Sequence, residues 1–454
     1  MLVLLYSVSG TNWGRYSLLY LLLIYLIFAS IVAYFISNRD ILSPWFITNS
    51  VFAFSTAVAL LNQDTWRFEF NSITFFVILL ASICLGLGEF VARSLSSKRL
   101  KENEKLETIK TSYVMNIPIP ITILVIFSML IYVILYYSKV GEIANLVGNG
   151  DDFATKLAYF NSASAGGYSI GFVFTLFFAI FSVILYFYMY ILLNKLIHSK
   201  FRKIDLLNLV PIILYFVLQI LSSSRSNFIY IISGALAMGY ILWRNKHDWK
   251  KKSNRKIINI GIVAVLLFFI AFYYLGNLTG KSQHFTNASE GMSVYTGGSI
   301  VSLNSFLEFF SYSRSNFGSE TIYGMQHLLG TLGGNGVLTE TRHLEFSYVS
   351  PYIRTNVYTS LRRYLHDYGF VGMCFIQFII GLFFTLIYLK IKHHAYKNEI
   401  LAILLYSSIF YPLVMQSIDE KFLTVLLTPT FLVQVLFFYV FYKIFTRKNS
   451  KIKI

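Results

Sequence analysis

Charged side chains are scarce in this chain. Asp, Glu, Lys and Arg together make up 13% of its 454 residues, which is about half of their share in soluble domains. Hydrophobic residues reach 56% and aromatic residues 18%, so the composition disfavours a soluble globular protein. It predicts an all-α polytopic membrane protein, because a helix satisfies its own backbone hydrogen bonds within lipid.

Cysteine is also rare, and the whole sequence contains Cys84 and Cys374 alone. Both lie in apolar runs and are far apart along the chain. They are interpreted as small core residues, since two such positions are typical neither of a disulfide framework nor of a cysteine metal centre. No group of His, Cys and carboxylates has metal-ligand spacing, so neither a metal nor a cofactor is predicted.

Long apolar runs predict a bundle of eleven transmembrane helices within one integral membrane domain, residues 1–454. The runs are 16–26 residues long, close to the length of about 17–25 residues that crosses the hydrocarbon core. The predicted spans are 16–36, 42–61, 70–92, 118–138, 168–193, 206–221, 226–243, 257–276, 368–389, 400–417 and 422–445. The first nine residues are apolar but too short to span, and they are interpreted as an interfacial segment.

Basic residues outnumber acidic ones and give a net charge of +17. Six stretches hold 26 of the 38 Lys and Arg residues: 37–41, 93–117, 194–205, 244–256, 390–399 and 443–454. With eleven spans, all six stretches fall on one side of the membrane. The positive-inside rule makes that side the cytoplasm, so the N-terminus is predicted outside and the C-terminus inside. Topology and anionic lipid thus explain the charge, and no nucleic-acid partner is predicted.

Arginine predominates among the basic residues that remain on the predicted outer side. Eight of these twelve residues are arginines: Arg15, Arg67, Arg225, Arg314, Arg342, Arg354, Arg362 and Arg363. A guanidinium group binds a planar oxyanion through two parallel hydrogen bonds, which a lysine ammonium does not. The pattern favours recognition of an oxyanion, and ordinary ion pairs within the loops are the alternative.

The turn SSSRSNFI, residues 222–229, places Arg225 between two apolar runs. The charge distribution assigns this turn to the outer side. We expect its serines to cap the following helix and Arg225 to face an anion-binding site inside the bundle. Snorkelling of Arg225 to lipid phosphates is the alternative.

One long loop, residues 277–367, is predicted on the outer side before the ninth span, and we expect it to contain short helices. Its length exceeds that of a simple connector. Apolar residues recur in it at helical spacing: Ile300, Leu303, Phe306, Leu307 and Phe310. This spacing predicts an amphipathic helix that packs on the bundle or lies at the membrane surface.

The segment PYIRTNVYTSLRRYLHDYGFVGM, residues 351–373, holds the densest group of polar side chains, and Pro351 favours a helix start. On a continuous helix, two neighbouring stripes contain Tyr358, Arg362 and His366, and Thr359, Arg363 and Asp367. The group is interpreted as a site for an anionic, lipid-borne substrate. The alternative is an interfacial helix with an Arg363–Asp367 ion pair.

The turn between the last two predicted spans carries three consecutive charges, Asp419, Glu420 and Lys421. A carboxylate from this turn can contribute to a site. Consecutive charges are more typical of a solvated turn, which is the prediction.

The sequence TNVYTSLRRYLHDYGFVGMCFIQFIIGLFFTLIY, residues 355–388, resembles the signature of Wzy-type oligosaccharide repeat-unit polymerases of O-antigen and capsular polysaccharide. The matching residues are Asn356, Val357, Tyr358, Thr359, Tyr364, Asp367, Tyr368, Gly369 and Gly372. Ser224, Arg225 and Ser226 resemble a short S-R-[ST] outer turn of the same family. The number of spans and the long outer loop extend the likeness over most of the chain.

The resemblance implies a metal-independent glycosyltransferase in the bacterial cytoplasmic (inner) membrane, with its active site on the extracytoplasmic face. Such an enzyme transfers a growing glycan from undecaprenyl diphosphate to a sugar hydroxyl of the next lipid-linked unit, and it uses no nucleotide sugar. The implied partners are the undecaprenyl-diphosphate-linked oligosaccharide, the lipid bilayer and a chain-length regulator protein.

The diphosphate leaving group is already ionised, so this reaction needs a base for the acceptor hydroxyl and no general acid. His366 is the favoured base and Asp367 is its competitor; the family pattern does not itself require histidine at this position. Arg225 is placed with the catalytic residues because a guanidinium stabilises charge on the diphosphate. The residues predicted to bind substrate are Arg314, Arg354, Asn356, Tyr358, Arg362, Arg363 and His343.

Other functions remain open from the sequence. An O-antigen-type ligase that transfers a finished glycan shares the donor, the topology and the site with a polymerase. A transporter or flippase of lipid-linked oligosaccharide favours charges deep in several spans and internal repeats. The predicted spans are nearly free of charge, with Glu89 the nearest case, and no repeat is evident. A structural scaffold explains the bundle but not the Arg and His residues.

Overall fold

The computed structural model describes residues 12–103, 113–150, 152–198, 201–223, 226–247, 288–314, 317–332 and 344–448, together with residues 249, 259, 261, 263 and 274. Within these residues the protein is predominantly helical. The helices are α1 (Asn12–Ile36), α2 (Pro44–Leu61), α3 (Gln63–Trp66), α4 (Ser72–Asn103), α5 (Ile119–Ala144), α6 (Phe153–Ala165), α7 (Phe172–His198), α8 (Leu209–Leu221), α9 (Ser226–His247), α10 (Ala288–Thr296), α11 (Gly298–Glu308), α12 (Tyr323–Leu332), α13 (Ser360–Lys392), α14 (Glu399–Ser408), α15 (Tyr411–Met415), α16 (Leu423–Leu426) and α17 (Pro429–Phe445). A 3-10 turn spans Lys203–Asn208, and the short strands are β1 (Tyr113–Met115), β2 (Ser347–Tyr348), β3 (Arg354–Thr355) and β4 (Thr446–Lys448).

In the part of the chain that the structure describes, eight helices are long and apolar enough to cross a membrane. They correspond to the first seven predicted spans and to the ninth. The tenth and eleventh predicted spans correspond to shorter apolar helices, Glu399–Met415 and Pro429–Phe445. The eighth, 257–276, lies almost wholly outside the described residues, as does the N-terminal interfacial segment. The all-α membrane class is confirmed, and the eleven-span arrangement stays a prediction.

The chain forms two compact units. The first unit consists of Met1–Lys105, Ser289–Lys390 and Pro412–Pro429. The second consists of Leu106–Ala288, Ile391–Tyr411 and Thr430–Ile454. The first unit contains the described part of the long loop and nearly all of α13, so its fold is what positions the charged residues of the 351–373 segment.

Two glycines bring α4 and α13 of the first unit into close contact. A Cβ added at Gly88 would lie 2.0 Å from the carbonyl oxygen of Phe378, and one added at Gly381 would lie 2.1 Å from the carbonyl oxygen of Leu85. No side chain fits at either position. The two backbones therefore meet directly, as is common where helices pack within membranes.

Glu89 in α4 is buried and fully engaged by neighbouring groups. Its carboxylate accepts hydrogen bonds from the Ser43 hydroxyl at 2.8 Å, the Trp45 backbone N–H at 2.8 Å and the Arg93 guanidinium at 2.6 Å. A buried carboxylate with such partners fixes the start of α2 against α4. This local pairing accounts for the acidic residue without a transport pathway.

The amphipathic helix expected in the long loop is α11, and it packs on helices of the first unit. Ile300, Leu303 and Leu307 are buried. Asn304 accepts a hydrogen bond of 2.8 Å from the backbone N–H of Asn71 and donates one of 2.8 Å to the carbonyl oxygen of Glu69. The helix was expected either to pack on the bundle or to lie at the membrane surface, and in the structure it packs on the bundle.

The helix that carries the charged residues begins at Ser360, so the start predicted at Pro351 is wrong. Pro351 lies in the turn of an antiparallel ribbon in which Ser347 pairs with Thr355 and Tyr348 with Arg354. Proline favours turns as well as helix starts, and the pairing of the two short strands on either side of Pro351 decided between them. Tyr358 and Thr359 consequently precede the helix.

The second unit contains helices α5–α9, α14 and most of α17. Its helices α9 and α14 meet at Gly234, where an added Cβ would lie 2.6 Å from the carbonyl oxygen of Ser407. Strands β1 and β4 pair antiparallel, with Val114 opposite Arg447.

In the first unit, Cys84 and Cys374 are free thiols, as expected, but each is partly exposed instead of buried in a core.

Candidate functional site

The charged residues of α13 lie before a break in that helix, in the first unit. Gly369 has φ 67° and ψ −172°, and it interrupts the helical backbone. This conformation is readily available only to glycine. The break separates the charged residues 360–368 from the apolar stretch that follows, so the polar side chains can be held at a different angle from the apolar helix.

Asp367 is held by a turn of the long loop. Its side chain is 0% exposed. It accepts hydrogen bonds from the Thr321 backbone N–H at 2.8 Å, the Thr321 hydroxyl at 2.6 Å and the Glu320 backbone N–H at 3.1 Å. The same hydroxyl lies 2.6 Å from Oη of Tyr368. These three bonds to Asp367 end on Oδ2, and Oδ1 accepts a longer one of 3.3 Å from the Glu320 backbone N–H. Both carboxylate oxygens therefore have donors within the unit.

His366 is oriented by two carboxylates. Its Nδ1 lies 2.9 Å from Oδ1 of Asp367 and 3.4 Å from Oε1 of Glu320. The imidazole is 23% exposed, so the ring reaches the surface of the unit. Carboxylates at Nδ1 fix the ring and stabilise the positive charge that forms when Nε2 accepts a proton. This arrangement is suited to general-base chemistry.

Arg362 is buried between two carboxylates. The side chain is 2% exposed, Nη1 donates to Glu320, and Nη2 donates to Oε1 of Glu345 at 2.6 Å. The guanidinium carbon lies 4.9 Å from the ring centre of Phe306 and 5.3 Å from that of Tyr358, within the cation–π range. Both amino groups of Arg362 therefore bind carboxylates of this chain.

Arg363 also binds carboxylates of the same unit. Its Nη1 donates to the carbonyl oxygen of Glu320 at 3.2 Å and lies 3.8 Å from Oε2 of that residue. Its Nε lies 3.7 Å from Oδ1 of Asp419, which is an ion-pair distance but too long for a hydrogen bond. The Arg363–Asp367 pair, which was the alternative interpretation of this segment, is replaced by these contacts.

The 419–421 turn is not uniformly solvated, so that prediction is wrong for Glu420. Glu420 is 1% exposed and accepts hydrogen bonds from Oη of Tyr364 at 2.8 Å and from the backbone N–H groups of Phe422 and Leu423 at 2.7 Å. Asp419 and Lys421 pair at 2.7 Å. Desolvation raises the pKa of Asp419, but Lys421 and Arg363 lower it by more, so the net pKa lies below its ordinary value.

The described residues of this cluster carry more carboxylates than permanent cations. The carboxylates are Glu320, Glu345, Asp367, Asp419 and Glu420, and the permanent cations are Arg362, Arg363 and Lys421. An incoming anion therefore meets guanidinium groups that already have anionic partners. Binding requires further cations or the release of a carboxylate.

None of the other residues predicted to bind substrate has a described contact with this cluster. Arg354 is exposed on β3, with its guanidinium carbon 5.8 Å from the ring centre of Tyr348. Arg314 is exposed, and Asn356 is half-buried. Arg225 and His343 lie outside the described residues, so their roles stay predictions.

Three potential metal ligands also meet in this cluster. Donor atoms of Glu320, His366 and Asp367 lie within 4.8 Å of one another. Arg362 occupies one oxygen of Glu320, however, and the Thr321 hydroxyl and backbone N–H groups occupy Asp367. A divalent cation would be repelled by the adjacent guanidinium, so this geometry fits an ion-pair network better than a metal centre.

Sequence reasoning missed Glu320, Thr321 and Glu345. Glu320 is 42 residues from Arg362, and Thr321 is 46 residues from Asp367, so no local pattern marks them. One signal was available, because two arginines in an apolar helix require carboxylate partners. The loop supplies few: Glu290, Glu308, Glu320, Glu340 and Glu345.

No protein-family model matches the chain, and neither curated proteins nor solved structures give a match. The geometry of the cluster and the motif resemblance therefore carry the functional argument.

Proposed function

We propose that this protein is a membrane glycosyltransferase that polymerises lipid-linked oligosaccharide repeat units. It transfers a growing glycan from undecaprenyl diphosphate to a sugar hydroxyl of the next lipid-linked unit. The reaction forms a bond between the anomeric carbon and the acceptor oxygen, and it breaks the bond between that carbon and the diphosphate. The acceptor loses a proton to a base, and the electron pair leaves with the diphosphate.

The orientation of His366 by Asp367 is the observation that supports this proposal best. A sugar hydroxyl is a weak nucleophile near neutral pH and needs a base to take its proton. Nδ1 of His366 is held 2.9 Å from the buried carboxylate of Asp367, which orients the imidazole and stabilises its protonated form. His366 is accordingly the base, and Asp367 positions it and stabilises the imidazolium.

The motif resemblance supports the same assignment. Of the residues that match the polymerase signature, Tyr358 stacks on Arg362, Tyr364 binds Glu420, Asp367 binds His366, and Gly369 breaks α13. Four of the nine matching residues thus contact the cluster or shape its backbone. Arg362 and Arg363, with the exposed Arg314 and Arg354, supply the guanidinium groups for the diphosphate.

The proposal includes the membrane arrangement. Eleven spans, with the N-terminus outside and the C-terminus in the cytoplasm, put residues 277–367 on the extracytoplasmic face of the bacterial cytoplasmic membrane. The Lys and Arg distribution along the sequence supports this orientation. On that face the lipid-linked units are the source of both donor and acceptor, and a chain-length regulator protein is the expected protein partner.

The test is incubation of the purified protein in nanodiscs with undecaprenyl-diphosphate-linked repeat units, without nucleotide or metal. A ladder of longer lipid-linked glycans is the expected product, and His366→Asn should abolish it. Transfer of one intact glycan to a different acceptor lipid would indicate a ligase instead. Unchanged substrate with correctly folded protein would contradict both.

A further inference from the structure

We infer that the Glu345 carboxylate occupies the position on Arg362 where an oxyanion of the substrate binds, and that the substrate displaces it. The inference deepens the proposed function and rests on it for the identity of that oxyanion, the diphosphate of the lipid carrier. Glu345 belongs to this chain and acts as an internal competitor for the position.

The two carboxylates on Arg362 differ sharply in burial. The Glu320 side chain is 11% exposed and the Glu345 side chain is 63% exposed. When Glu345 leaves, its exposed carboxylate regains water, and the buried guanidinium of Arg362 keeps its contact with Glu320. Release of Glu345 therefore costs less than release of Glu320, and an incoming oxyanion restores the contact with Nη2.

Glu320 cannot leave in the same way. Besides Arg362, its carboxylate lies 3.8 Å from Nη1 of Arg363 and 3.4 Å from Nδ1 of His366. Its backbone N–H also donates to Asp367 at 3.1 Å. Its release would leave the buried guanidinium of Arg362 with the exposed Glu345 alone and would take a carboxylate from Arg363 and His366 as well, which is unfavourable. The contact of Arg362 with Glu320 is therefore fixed, and its contact with Glu345 is exchangeable.

The excess of carboxylates in the cluster makes the exchange necessary. A diphosphate beside Glu345 would face an additional negative charge at the guanidinium that should bind it. Replacing Glu345 with the diphosphate preserves the charge-assisted contact with Nη2 of Arg362 and removes that repulsion. The rings of Phe306 and Tyr358 keep the guanidinium in place during the exchange, at 4.9 Å and 5.3 Å.

The exchangeable position is close to the proposed base. Arg362 and His366 contact the same carboxylate, because Nη1 of Arg362 donates to Glu320 and Nδ1 of His366 lies 3.4 Å from Oε1 of Glu320. An oxyanion that takes the place of Glu345 therefore binds to a guanidinium that shares a carboxylate with the proposed base. This brings the breaking bond of the donor near the group that accepts the proton.

The local chain allows Glu345 to move without disturbing the fold. Glu345 lies outside helix and strand, in the described stretch 344–346 that leads into β2, while β2 itself is paired with β3. Rotation about the side-chain bonds of Glu345 is sufficient to release the contact with Arg362. The ribbon and the start of α13 keep their positions.

The test measures binding of inorganic pyrophosphate by calorimetry to the full-length protein and to Glu345→Gln and Glu345→Asp. The glutamine removes the charge, and the aspartate keeps it but shortens the reach by one methylene. Both should bind pyrophosphate about tenfold more tightly than the unmodified protein. Glu308→Gln is the matched control, since Glu308 is an exposed loop carboxylate that contacts Asn304 and not Arg362; its affinity should not change.

Equal or weaker binding by Glu345→Gln, with an unchanged melting temperature, would overturn the inference. Elongation of lipid-linked units is measured on the same variants, and this second assay distinguishes failure of the inference from failure of the proposed function. If Glu345→Gln binds pyrophosphate more tightly but no variant elongates lipid-linked units, displacement stands and the polymerase proposal fails. If the unmodified protein and Glu345→Gln elongate lipid-linked units with the same KM and bind pyrophosphate with the same affinity, the polymerase proposal stands and displacement fails.

Discussion

Nδ1 of His366 lies 2.9 Å from Oδ1 of Asp367, and the carboxylate of this pair is fully buried while the imidazole reaches the surface. The backbone N–H groups of Thr321 and Glu320 donate to Oδ2 of Asp367, and Oδ1 faces the imidazole. In the proposed function Asp367 accordingly positions the ring, and proton transfer is assigned to His366. This assignment separates two candidates that the sequence left in competition.

Replacing His366 with Asn should lower the rate of glycan elongation by about 10²–10⁴-fold, because the base is lost while the oxyanion contacts remain. The melting temperature should change little, since the ring is partly exposed. Elongation of lipid-linked units, followed by gel electrophoresis, measures the rate. His394→Asn is the control, because His394 pairs with Glu399 in the second unit; a similar loss in both variants would contradict a specific role for His366.

Replacing Asp367 with Asn should affect both stability and rate. The amide nitrogen would face backbone N–H donors that now bind a carboxylate, and one buried donor would be left unpaired at about 1–3 kcal/mol. The imidazole would also lose its orienting partner, so kcat should fall with little change in KM. Thermal unfolding in nanodiscs and steady-state kinetics measure the two effects. A normal kcat in folded Asp367→Asn protein would remove Asp367 from the mechanism.

The membrane helices could be predicted from the sequence because span length and apolarity are local properties of the chain. Helix α5, Ile119–Ala144, covers all but the first residue of the predicted span 118–138, and Ser226–His247 contains 226–243. The start of α13 could not be predicted in the same way. It depends on the pairing of Tyr348 with Arg354, and no pattern within residues 351–373 predicts that pairing.

The candidate site was predicted in part for the same reason. Arg362, His366 and Asp367 share a short segment, and a scarcity of charge elsewhere makes them conspicuous. Glu320 and Glu345 join them through the fold of a long loop, over separations of 42 and 17 residues from Arg362. Without these two residues the arginines look available to an anion, whereas in the structure both are already paired.

Replacing Gly369 with Ala should destabilise the first unit by about 1–3 kcal/mol, because its φ of 67° and ψ of −172° suit glycine alone. The added methyl would also lie 3.3 Å from the ring of Tyr312. Gly239→Ala is the matched control, because Gly239 lies in helix α9 and its nearest neighbour is 4.0 Å away. That change should stabilise helix α9 slightly. Equal melting temperatures for the two variants would contradict the break at Gly369.

A double-mutant cycle on Arg362 and Glu320 should show strong coupling. Arg362→Gln leaves Glu320 with a weaker set of partners, and Glu320→Gln leaves a nearly buried guanidinium with the exchangeable Glu345 alone. Each single change should cost about 3–5 kcal/mol of unfolding free energy. The double variant should lose less than the sum, because neither charge remains unpaired. Denaturant titration in micelles measures the free energies, and additive losses would show that the two residues act independently.

The ion pairs of Asp419 should make the stability of the first unit depend on acid pH. Its pKa lies below the ordinary value of 3.8, since Lys421 and Arg363 outweigh desolvation. The ionised form therefore contributes stability above pH 3.8, and this contribution is lost as the pH falls through the lower pKa of the folded protein. Melting temperatures of the unmodified protein and Asp419→Asn should differ near neutral pH, and the difference should shrink as the pH falls below about 4. Other carboxylates titrate in both proteins, so the difference in melting temperature between the two isolates the contribution of Asp419. A difference in melting temperature that stays constant down to pH 3 would contradict the pairing of Asp419 with Arg363 and Lys421.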